Sequence, residues 1–476
     1  MGRRRDRPRG RPHRIGPRHE SAPAENPSRG RGGRFAGPRL RIPRREYDRL
    51  TVTECADAPD ALASLDESAI VVIGGGIVGL CIGRACAADG HAVAVLDRGA
   101  VGVGCAWGSA GHLVPSHVVP LAAPGAPATA ARALLRRDGP LSARLSPEVL
   151  RWLLRFSRSC RSATARSATT ALKALADLSM RELESLLAQR PSLEVRREGV
   201  LDVYRSDKAL LRALRAARAA EEAGITVEVL DRDEASELEP ALRPPVAGAV
   251  FYPDDSRMRP ADLLAELRAD AQRRGAVLVP GVEVLDLVAR NSAVETLTTT
   301  AGDVDARHVI IAAGAWSGRL ARMLGTRLPV LAARGMSVTY ERPADGPRRA
   351  LLLGEDHVAV GVTDSELRLS GWFQLGAESL TPSLRRLEAL ERLARRRLRL
   401  DSPLRVLERW AGLRPTAPDG VPIIGAAPQW RNVTIATGHA MIGLTMALGT
   451  GRLVADLVSG TTPALNAGRF SPARLR

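Results

Sequence analysis

The sequence contains little cysteine and no long apolar run, and each shortage excludes a class of protein. Only five of the 476 residues are cysteine, an odd number, and their positions lack the spacing of metal ligands. No apolar stretch reaches the roughly 18 residues that a membrane-spanning helix needs. We therefore expect a reduced, cytoplasmic protein without a metal site. Peripheral attachment to the inner face of the membrane stays open.

Positive charge is abundant, but it is concentrated at the N-terminus. Residues 1–50 hold sixteen arginines against five acidic residues, which is +11 of the formal net charge of +17. This segment is rich in proline and glycine and has few apolar residues, so we expect a disordered extension over 1–65. The rest of the chain is long enough for two or three domain-sized cores.

Three interpretations of this basic extension are open. It binds nucleic acid or another anionic surface, it is a targeting peptide, or it is an unselected extension. No apolar segment follows Arg3, Arg4 and Arg5, which argues against a secretory or twin-arginine signal. The composition favours the third interpretation over nucleic-acid binding.

The most informative segment is a glycine-rich turn. An apolar run at 69–73 precedes Gly74, Gly76 and Gly79, and a second apolar run ends at Asp97. This order predicts the strand, turn, helix and strand of a dinucleotide fold, with Asp97 at the ribose. The free N–H groups at the start of the helix would face the phosphates. These residues predict an adenine dinucleotide site but do not distinguish NAD from FAD.

The rest of the chain alternates between two kinds of segment. Apolar runs at 309–313 and 433–437 again end at glycine, whereas 129–225 is helical in pattern and 327–404 is mostly strand-like. The simplest account is one cofactor-binding domain interrupted twice by a substrate-binding domain. We assign 66–125, 245–326 and 405–465 to the first domain. The second domain then comprises 126–244 and 327–404.

Four ordered segments, 102–127, 309–316, 412–425 and 436–445, resemble the FAD-dependent D-amino-acid oxidase and dehydrogenase superfamily. The chain is most similar to the bacterial D-amino-acid dehydrogenases, which include D-hydroxyproline dehydrogenases. This resemblance, over about 67–472, implies FAD as the cofactor. It also implies an α/β fold, in which a Rossmann-type, glutathione-reductase-like FAD-binding domain is interrupted by an α+β substrate domain with a mixed or antiparallel sheet.

The fingerprint and the resemblance together imply a set of cofactor-binding residues. They are Gly74, Gly76, Gly79, Asp97, Arg98, Ala110, Gly111, His112, Val284, Ala313, Gly314, Gly438, Met441, Gly443 and Leu444. A helix beginning near His439 would direct its N-terminal amides at the flavin edge, where reduction develops negative charge. Trp372 and Gln374 resemble residues that face the ring, although a half-buried strand face is the simpler explanation for both.

Two residues are candidates for catalysis. The resemblance places binding of the substrate carboxylate on Arg414, whose guanidinium can form paired charge-assisted hydrogen bonds. The alternative for Arg414 is a structural ion pair. His439 either lines the pocket and tunes the flavin, or merely satisfies backbone groups in a turn, and both interpretations stay open.

The chain departs from the family pattern at two places. Relatives with covalently bound FAD carry a cysteine where Gly412 stands, and the nearest cysteine along the chain is Cys160, so we expect noncovalent FAD. Some amine-oxidising relatives use a tyrosine on the strand after His357 to bind the carboxylate. This chain has valine and alanine at 358–360, so a second carboxylate ligand must come from elsewhere.

The reaction that the resemblance implies is oxidative deamination of a D-amino acid, or of a cyclic amine such as D-proline or its hydroxylated form. A hydride would pass from Cα to flavin N5, and a quinone or another acceptor would take the electrons. Because the cofactor performs the electron chemistry, no Ser-His-Asp set or carboxylate pair is needed. Two alternatives remain, an amine oxidase of the sarcosine or glycine type and a nucleic-acid-binding protein acting through its extension. The oligomeric state stays open.

Overall fold

The computed structural model describes residues 58–63, 68–128, 130 and 141–475. Most of the predicted N-terminal extension therefore lies outside the described residues. Its last part differs from the expected disorder, because residues 58–63 form a helix whose Leu62 is 8% exposed and packs in the core. Burial of this leucine gives the segment a reason to be ordered.

The described residues form ten α-helices and twenty β-strands. The helices are α1 (Ala58–Ala63), α2 (Ile77–Ala88), α3 (Pro147–Ser159), α4 (Ser162–Gln189), α5 (Asp207–Glu221), α6 (Arg232–Leu238), α7 (Pro260–Arg273), α8 (Ser317–Met323), α9 (Leu384–Arg397) and α10 (Gly443–Ser459). The strands are β1 (Ile70–Ile73), β2 (Val93–Asp97), β3 (His112–Leu113), β4 (Leu141–Ala143), β5 (Val200–Tyr204), β6 (Glu228–Leu230), β7 (Gly248–Tyr252), β8 (Ser256–Arg257), β9 (Val277–Pro280), β10 (Val284–Arg290), β11 (Ala293–Thr299), β12 (Gly302–Asp305), β13 (His308–Ile311), β14 (Leu331–Glu341), β15 (Ala350–Leu353), β16 (Val358–Val362), β17 (Glu366–Leu375), β18 (Val406–Thr416), β19 (Ile423–Ala426) and β20 (Val433–Thr437).

The first sheet has six strands in the order β19-β20-β13-β1-β2-β9. Its neighbours are parallel except for β19 and β20, which are antiparallel. The predicted strand, turn, helix and strand are present as β1, α2 and β2. Because parallel strands end at the same edge of a sheet, the segments after β1, β2, β13 and β20 meet there, which is where ligands bind in such folds.

Both faces of this sheet are covered, which is why its strands are almost wholly apolar. Val71 and Ile73 of β1 face a core that includes the small antiparallel sheet β10-β11-β12. Ile70 and Val72 face the opposite core, formed with α2, α4 and α10. A buried ion pair joins α2 to α7, with Arg84 Nε donating to Asp270 Oδ2 at 2.6 Å.

The second sheet has nine strands and is mixed. Its main order is β18-β14-β17-β16-β15-β5-β7-β6, and β4 pairs with β17. The pairs β15–β5 and β17–β4 are parallel, and the other pairs are antiparallel. α9 packs on this sheet through Leu387 and Leu390. A parallel, cofactor-type sheet beside a mixed sheet matches the predicted fold class.

Two strands lie in a different sheet from the one that the predicted segments imply. β7 and β18 pair within the nine-stranded sheet, although 245–326 and 405–465 were assigned to the cofactor domain. The alternation of apolar residues along a strand shows which side is buried, but it does not show which strand lies beside it. The domain boundaries remain a prediction. No helix within the described ranges is long and apolar enough to cross a membrane.

Candidate active site

The turn after β1 and the start of α2 require glycine at two positions, Gly74 and Gly79. Gly74 has a φ of +113°, and a Cβ there would lie 2.6 Å from the Ala312 carbonyl oxygen. A Cβ on Gly79 would lie 1.7 Å from the Gly74 oxygen. Gly76 is the N-cap of α2, with no side-chain cap and no heavy atom within 4 Å of its Cβ position. The positive end of α2 therefore faces open space at the carboxyl edge of the six-stranded sheet.

Asp97, the last residue of β2, is held by backbone amides. Gly75 N donates to Asp97 Oδ2 at 2.8 Å, and Gly99 N donates to Oδ1 at 2.7 Å. Burial raises the pKa of Asp97, and these two hydrogen bonds oppose that rise. Each carboxylate oxygen retains a lone pair that can accept a ribose hydroxyl. Beside it, the Arg98 guanidinium lies 4.1 Å from the centre of the Trp316 ring.

A buried ion pair anchors the loop after β2 to the nine-stranded sheet. Arg368 Nη2 donates to Glu408 Oε2 at 3.1 Å, and Trp107 Nε1 donates to Glu408 Oε1 at 2.8 Å. Arg368 also donates to the carbonyl oxygens of Trp107 and Ser109. The sequence analysis missed this pair, because only the tertiary structure brings residues of the loop, β17 and β18 together.

The end of this loop passes very close to the same sheet. Gly111 has a φ of +78°, and a Cβ on Gly361 would lie 2.0 Å from the Ala110 oxygen. His112 Nε2 lies 2.9 Å from the Val360 oxygen. Burial lowers the pKa of His112 to about 4, so its imidazole is neutral at pH 7.

Three more predicted cofactor residues follow the parallel strands. Ala313 and Gly314 come after β13, and Gly438 comes after β20. Thr437 Oγ1 donates to the Gly314 oxygen at 2.8 Å, which joins the two turns. Val284 lies elsewhere, buried at the start of β10 in the small antiparallel sheet. The segment before it contacts the site through the backbone, because Val282 N donates to the backbone carbonyl oxygen of Asp97 at 2.8 Å.

Arg414 on β18 has a half-buried guanidinium without a carboxylate partner among the described residues. Its Nη1 donates to the Trp372 oxygen at 2.8 Å. A Cβ on Gly335 of β14 would lie 2.1–2.4 Å from three guanidinium atoms, so glycine makes room for the group. Burial lowers the pKa of Arg414, but a guanidinium stays protonated in proteins. The structural ion pair, the alternative for this residue, is not present in the described part of the chain.

The Trp372 carbonyl reaches Arg414 because β17 bulges. The register between β14 and β17 shifts so that Trp372 and Phe373 lie opposite Gly335 alone, and Trp372 has a φ of +67°. Its indole Nε1 donates to the Arg386 oxygen at 3.2 Å, which ties the bulge to α9. Gln374, in contrast, is occupied by hydrogen bonds with Arg334 and Ser142.

The His439 side chain pairs with α10. Its Nε2 lies 2.9 Å from Thr450 Oγ1 of α10, the residue is 3% exposed, and burial lowers its pKa to about 4. This geometry favours the structural interpretation of His439. The helix also begins later than expected, at Gly443, because 438–442 form an irregular turn in which Ala440 N donates to the Pro415 oxygen at 2.8 Å. In that turn Met441 is 52% exposed, whereas Leu444 packs in the core.

The cysteine nearest to Gly412 in space is Cys105, not Cys160. A Cβ on Gly412 would lie 3.1 Å from Cys105 Sγ. Burial raises the pKa of this thiol, while the neighbouring Arg414 lowers it. The same face of β18 carries Trp410, whose buried Nε1 has no acceptor among the described residues. The sequence analysis missed Cys105 and Trp410, although both lie in or next to segments that resemble the family.

Residues 69–457, which include most of the residues described above, match the profile of the FAD dependent oxidoreductase family, DAO. The chain belongs to this family. The D-amino acid dehydrogenase of Paramagnetospirillum magneticum is 34% identical over 421 residues, which are 83% of this chain and 96% of that protein. That of Methylobacterium nodulans is 32% identical over 415 residues, 85% and 98% of the two chains.

Solved structures share the fold of this FAD-dependent oxidoreductase. Glycine oxidase from Geobacillus kaustophilus matches with a TM-score of 0.69 at 25% identity, over 85% of this chain and 98% of that one. L-proline dehydrogenase from P. horikoshii matches with a TM-score of 0.67 at 21% identity, over 86% and 97%. The predicted family, fold class and cofactor are therefore confirmed.

The residues at the carboxyl edge of the six-stranded sheet fit FAD. The uncapped start of α2 offers amides to a pyrophosphate, and Asp97 lies where a ribose would be bound. Next to Gly412, on β18, the buried Trp410 Nε1 is a donor that has no acceptor among the described residues. Such an orphaned buried donor is costly unless a ligand pairs with it.

Proposed function

We propose that this FAD-dependent oxidoreductase deaminates a D-amino acid oxidatively, with D-proline and its hydroxylated form among the candidates, and passes the electrons to a quinone or another acceptor. One observation carries the proposal: the Arg414 guanidinium is held by neutral backbone and lacks a carboxylate partner in the described residues. The relatives named D-amino acid dehydrogenase support the choice of substrate.

Arg414 is the group that would bind and orient the substrate. With Nη1 held by the Trp372 oxygen, the remaining N–H groups can pair with both oxygens of a carboxylate. Gly335 and the bulge of β17 fix the guanidinium, so the substrate would be held in one orientation. When bound, FAD supplies the oxidising step by accepting the hydride from the substrate Cα at N5. The resulting imino acid leaves and is hydrolysed by water.

Neither histidine of the site would exchange protons during turnover near pH 7. Burial lowers the pKa of both His112 and His439 to about 4, so each is neutral. The substrate amine must therefore lose its proton to water or arrive neutral. Because His112 is neutral, the positive charge that attracts the substrate carboxylate would come from Arg414.

Noncovalent attachment of FAD is part of the proposal. The thiol nearest to Gly412 is Cys105, and its burial raises its pKa, which disfavours the reactive thiolate. Acid precipitation of the yellow protein should leave all flavin in the supernatant. Flavin that stays with the precipitated wild-type chain but not with Cys105→Ser would show a covalent bond to this thiol.

A panel of D- and L-amino acids, added without oxygen, tests the reaction. We expect D-amino acids to bleach the flavin absorbance and their L-enantiomers to leave it unchanged. A colourless protein that takes up no FAD would overturn the proposal.

A second candidate is amine oxidation of the glycine or sarcosine type, which the match to a glycine oxidase structure favours. Bleaching by glycine or sarcosine, without a difference between enantiomers of larger amino acids, would support it. The electron acceptor is tested separately, by comparing reoxidation by oxygen with reoxidation by a soluble quinone.

Peripheral attachment to a membrane would suit a quinone as acceptor, because quinones dissolve in the bilayer. We include this location in the proposal. The described residues contain no membrane-spanning helix, so attachment would need a surface.

A further inference from the structure

The strongest candidate for such a surface is the outer face of α3. Its inner face is packed: Val149 and Trp152 are buried, and Phe156 stacks on Trp152 with ring centres 5.4 Å apart. Its outer face carries apolar residues that the described elements leave exposed. Leu145, just before the helix, is 73% exposed, and Leu150 and Leu154 are 56% and 50% exposed. We call these three residues the leucine face.

Positive charge lies beside the leucine face. Arg151, Arg155 and Arg158 are exposed on the same helix, and no carboxylate within the described residues forms an ion pair with them. Within the described residues, Arg151 and Arg155 donate to backbone oxygens, those of Pro147 and Leu475. One acidic residue, Glu148, lies in the first turn. The surface thus combines exposed leucines with unneutralised arginines.

We infer that the leucine face docks on an anionic lipid bilayer. Leucines flanked by arginines complement a membrane surface, where apolar side chains enter the acyl boundary and cations meet anionic headgroups. Three exposed leucines are few for a protein partner, because a specific protein interface buries roughly 800 Å² on each side. A bilayer needs no complementary shape, so three leucines suffice to contribute to binding.

The structure shows how this surface is connected to the active site. Trp152 Nε1 donates to the Thr416 oxygen at 3.1 Å. Thr416 is two residues from Arg414 on β18, so α3 lies against the strand that carries the substrate-binding group. The inference rests on the proposed function, because lipid binding serves the enzyme if its acceptor is a quinone. The test does not depend on that acceptor, since binding to lipid is measured without turnover.

Sedimentation with vesicles tests the inference. The full-length protein is mixed with vesicles of phosphatidylcholine alone, or of phosphatidylcholine and phosphatidylglycerol in equal parts. We expect binding to the mixed vesicles, and we expect the double variant Leu150→Ser/Leu154→Ser to lower the partition coefficient by about tenfold or more. The triple variant Arg151→Gln/Arg155→Gln/Arg158→Gln should weaken binding to the mixed vesicles and reduce its dependence on salt.

Leu211 offers a matched control. It is 59% exposed on α5, outside the leucine face, so Leu211→Ser should bind like the wild type. The arginines of residues 1–50 are present in every variant, so their contribution to binding is common to all. A double variant that partitions like the wild type overturns the inference. So does a double variant that changes only the oligomeric state in gel filtration, which would assign the leucine face to a second copy.

Dye reduction separates this inference from the proposed function. The two serine substitutions lie outside the active site, so reduction of a soluble dye should be unchanged in the double variant. If no variant reduces the dye with D-amino acids while lipid binding follows the leucine face, the proposed reaction fails and the docking surface stands.

Discussion

Arg414 takes its position from backbone features, not from a charged neighbour. Gly335 leaves the space for the guanidinium, and the bulged Trp372 supplies the accepting oxygen. A half-buried guanidinium that has no counter-charge among the described residues is costly in a resting protein. Binding of a substrate carboxylate offsets this cost. Binding is therefore selective for substrates that carry a carboxylate.

Replacing Arg414 by lysine tests the paired contact. Arg414→Lys keeps the positive charge but loses the two-pronged geometry, so we expect kcat/KM to fall by about 100-fold or more. Arg409→Lys, on the exposed side of the same strand, is the matched control and should have wild-type kinetics. Equal kinetics for the two variants would remove Arg414 from substrate binding.

Gly335 tests the space around the guanidinium. Because the added methyl group of Gly335→Ala would overlap the guanidinium, we expect KM to rise at least about tenfold while FAD stays bound. Gly318→Ala is the control, since the nearest atom to its Cβ would be 3.8 Å away. Unchanged KM in the Gly335 variant would show that the guanidinium does not need this position.

At the scale of elements, the loop after β2 depends on one buried ion pair. Arg368 on β17 and Glu408 on β18 lie on either side of Thr339 of β14. Their side chains are 9% and 8% exposed. Arg368 Nε also donates to Thr339 Oγ1 at 2.8 Å. This cluster fixes the loop that ends at the cofactor edge.

Glu408→Gln should therefore reduce both stability and affinity for FAD. Removing the negative charge that faces a buried arginine typically costs roughly 3 to 5 kcal/mol. We expect a loss of that order in urea unfolding and weaker uptake of FAD by the apoprotein. The exposed pair Arg405–Glu341, at 3.0 Å between the residue before β18 and the last residue of β14, is the control. Glu341→Gln should change the free energy of unfolding by less than about 1 kcal/mol.

Features that depend on local sequence could be predicted, and features that depend on distant contacts could not. The turn at 74–79, α2 and Asp97 were predicted because glycine spacing and apolar runs are local signals. The bulge at Trp372 and the Arg368–Glu408 pair were missed because they depend on which strands become neighbours. α10 begins at Gly443, four residues after His439, because 438–442 form a turn in which Ala440 N donates to the Pro415 oxygen. The site residues, Arg414 included, remain predictions of function until variants are measured.

For the whole molecule, buried histidines predict a loss of stability in acid. Burial lowers the pKa of His112, His308 and His439 to about 4, below the unfolded value near 6.5. Their contribution is present above pH 6.5 and is lost as pH falls toward 4, because the unfolded chain binds the protons first. Burial raises the pKa of Asp255 to about 6, and this carboxyl group opposes the trend.

Near pH 5 the three histidines and Asp255 together imply a net uptake of about two protons on unfolding. The free energy of unfolding should then fall by roughly 2 to 3 kcal/mol per pH unit. Urea unfolding at several pH values measures this slope, and NMR titration of the imidazoles measures its cause. Imidazoles that titrate near pH 6.5 in the folded protein would contradict the explanation.

The pairing of β1 with β13, and of β13 with β20, has a consequence for biosynthesis. β1 hydrogen-bonds to a strand that begins 238 residues later, and that strand completes its pairing only with Val433–Thr437. A ribosome must therefore deliver nine-tenths of the polypeptide before the cofactor cradle can close. Until then α10 is missing from the layer that covers Ile70 and Val72 of β1, and contacts this distant in sequence form slowly. Nascent chains of this enzyme should consequently depend on chaperones, and flavin is incorporated only after synthesis is nearly complete.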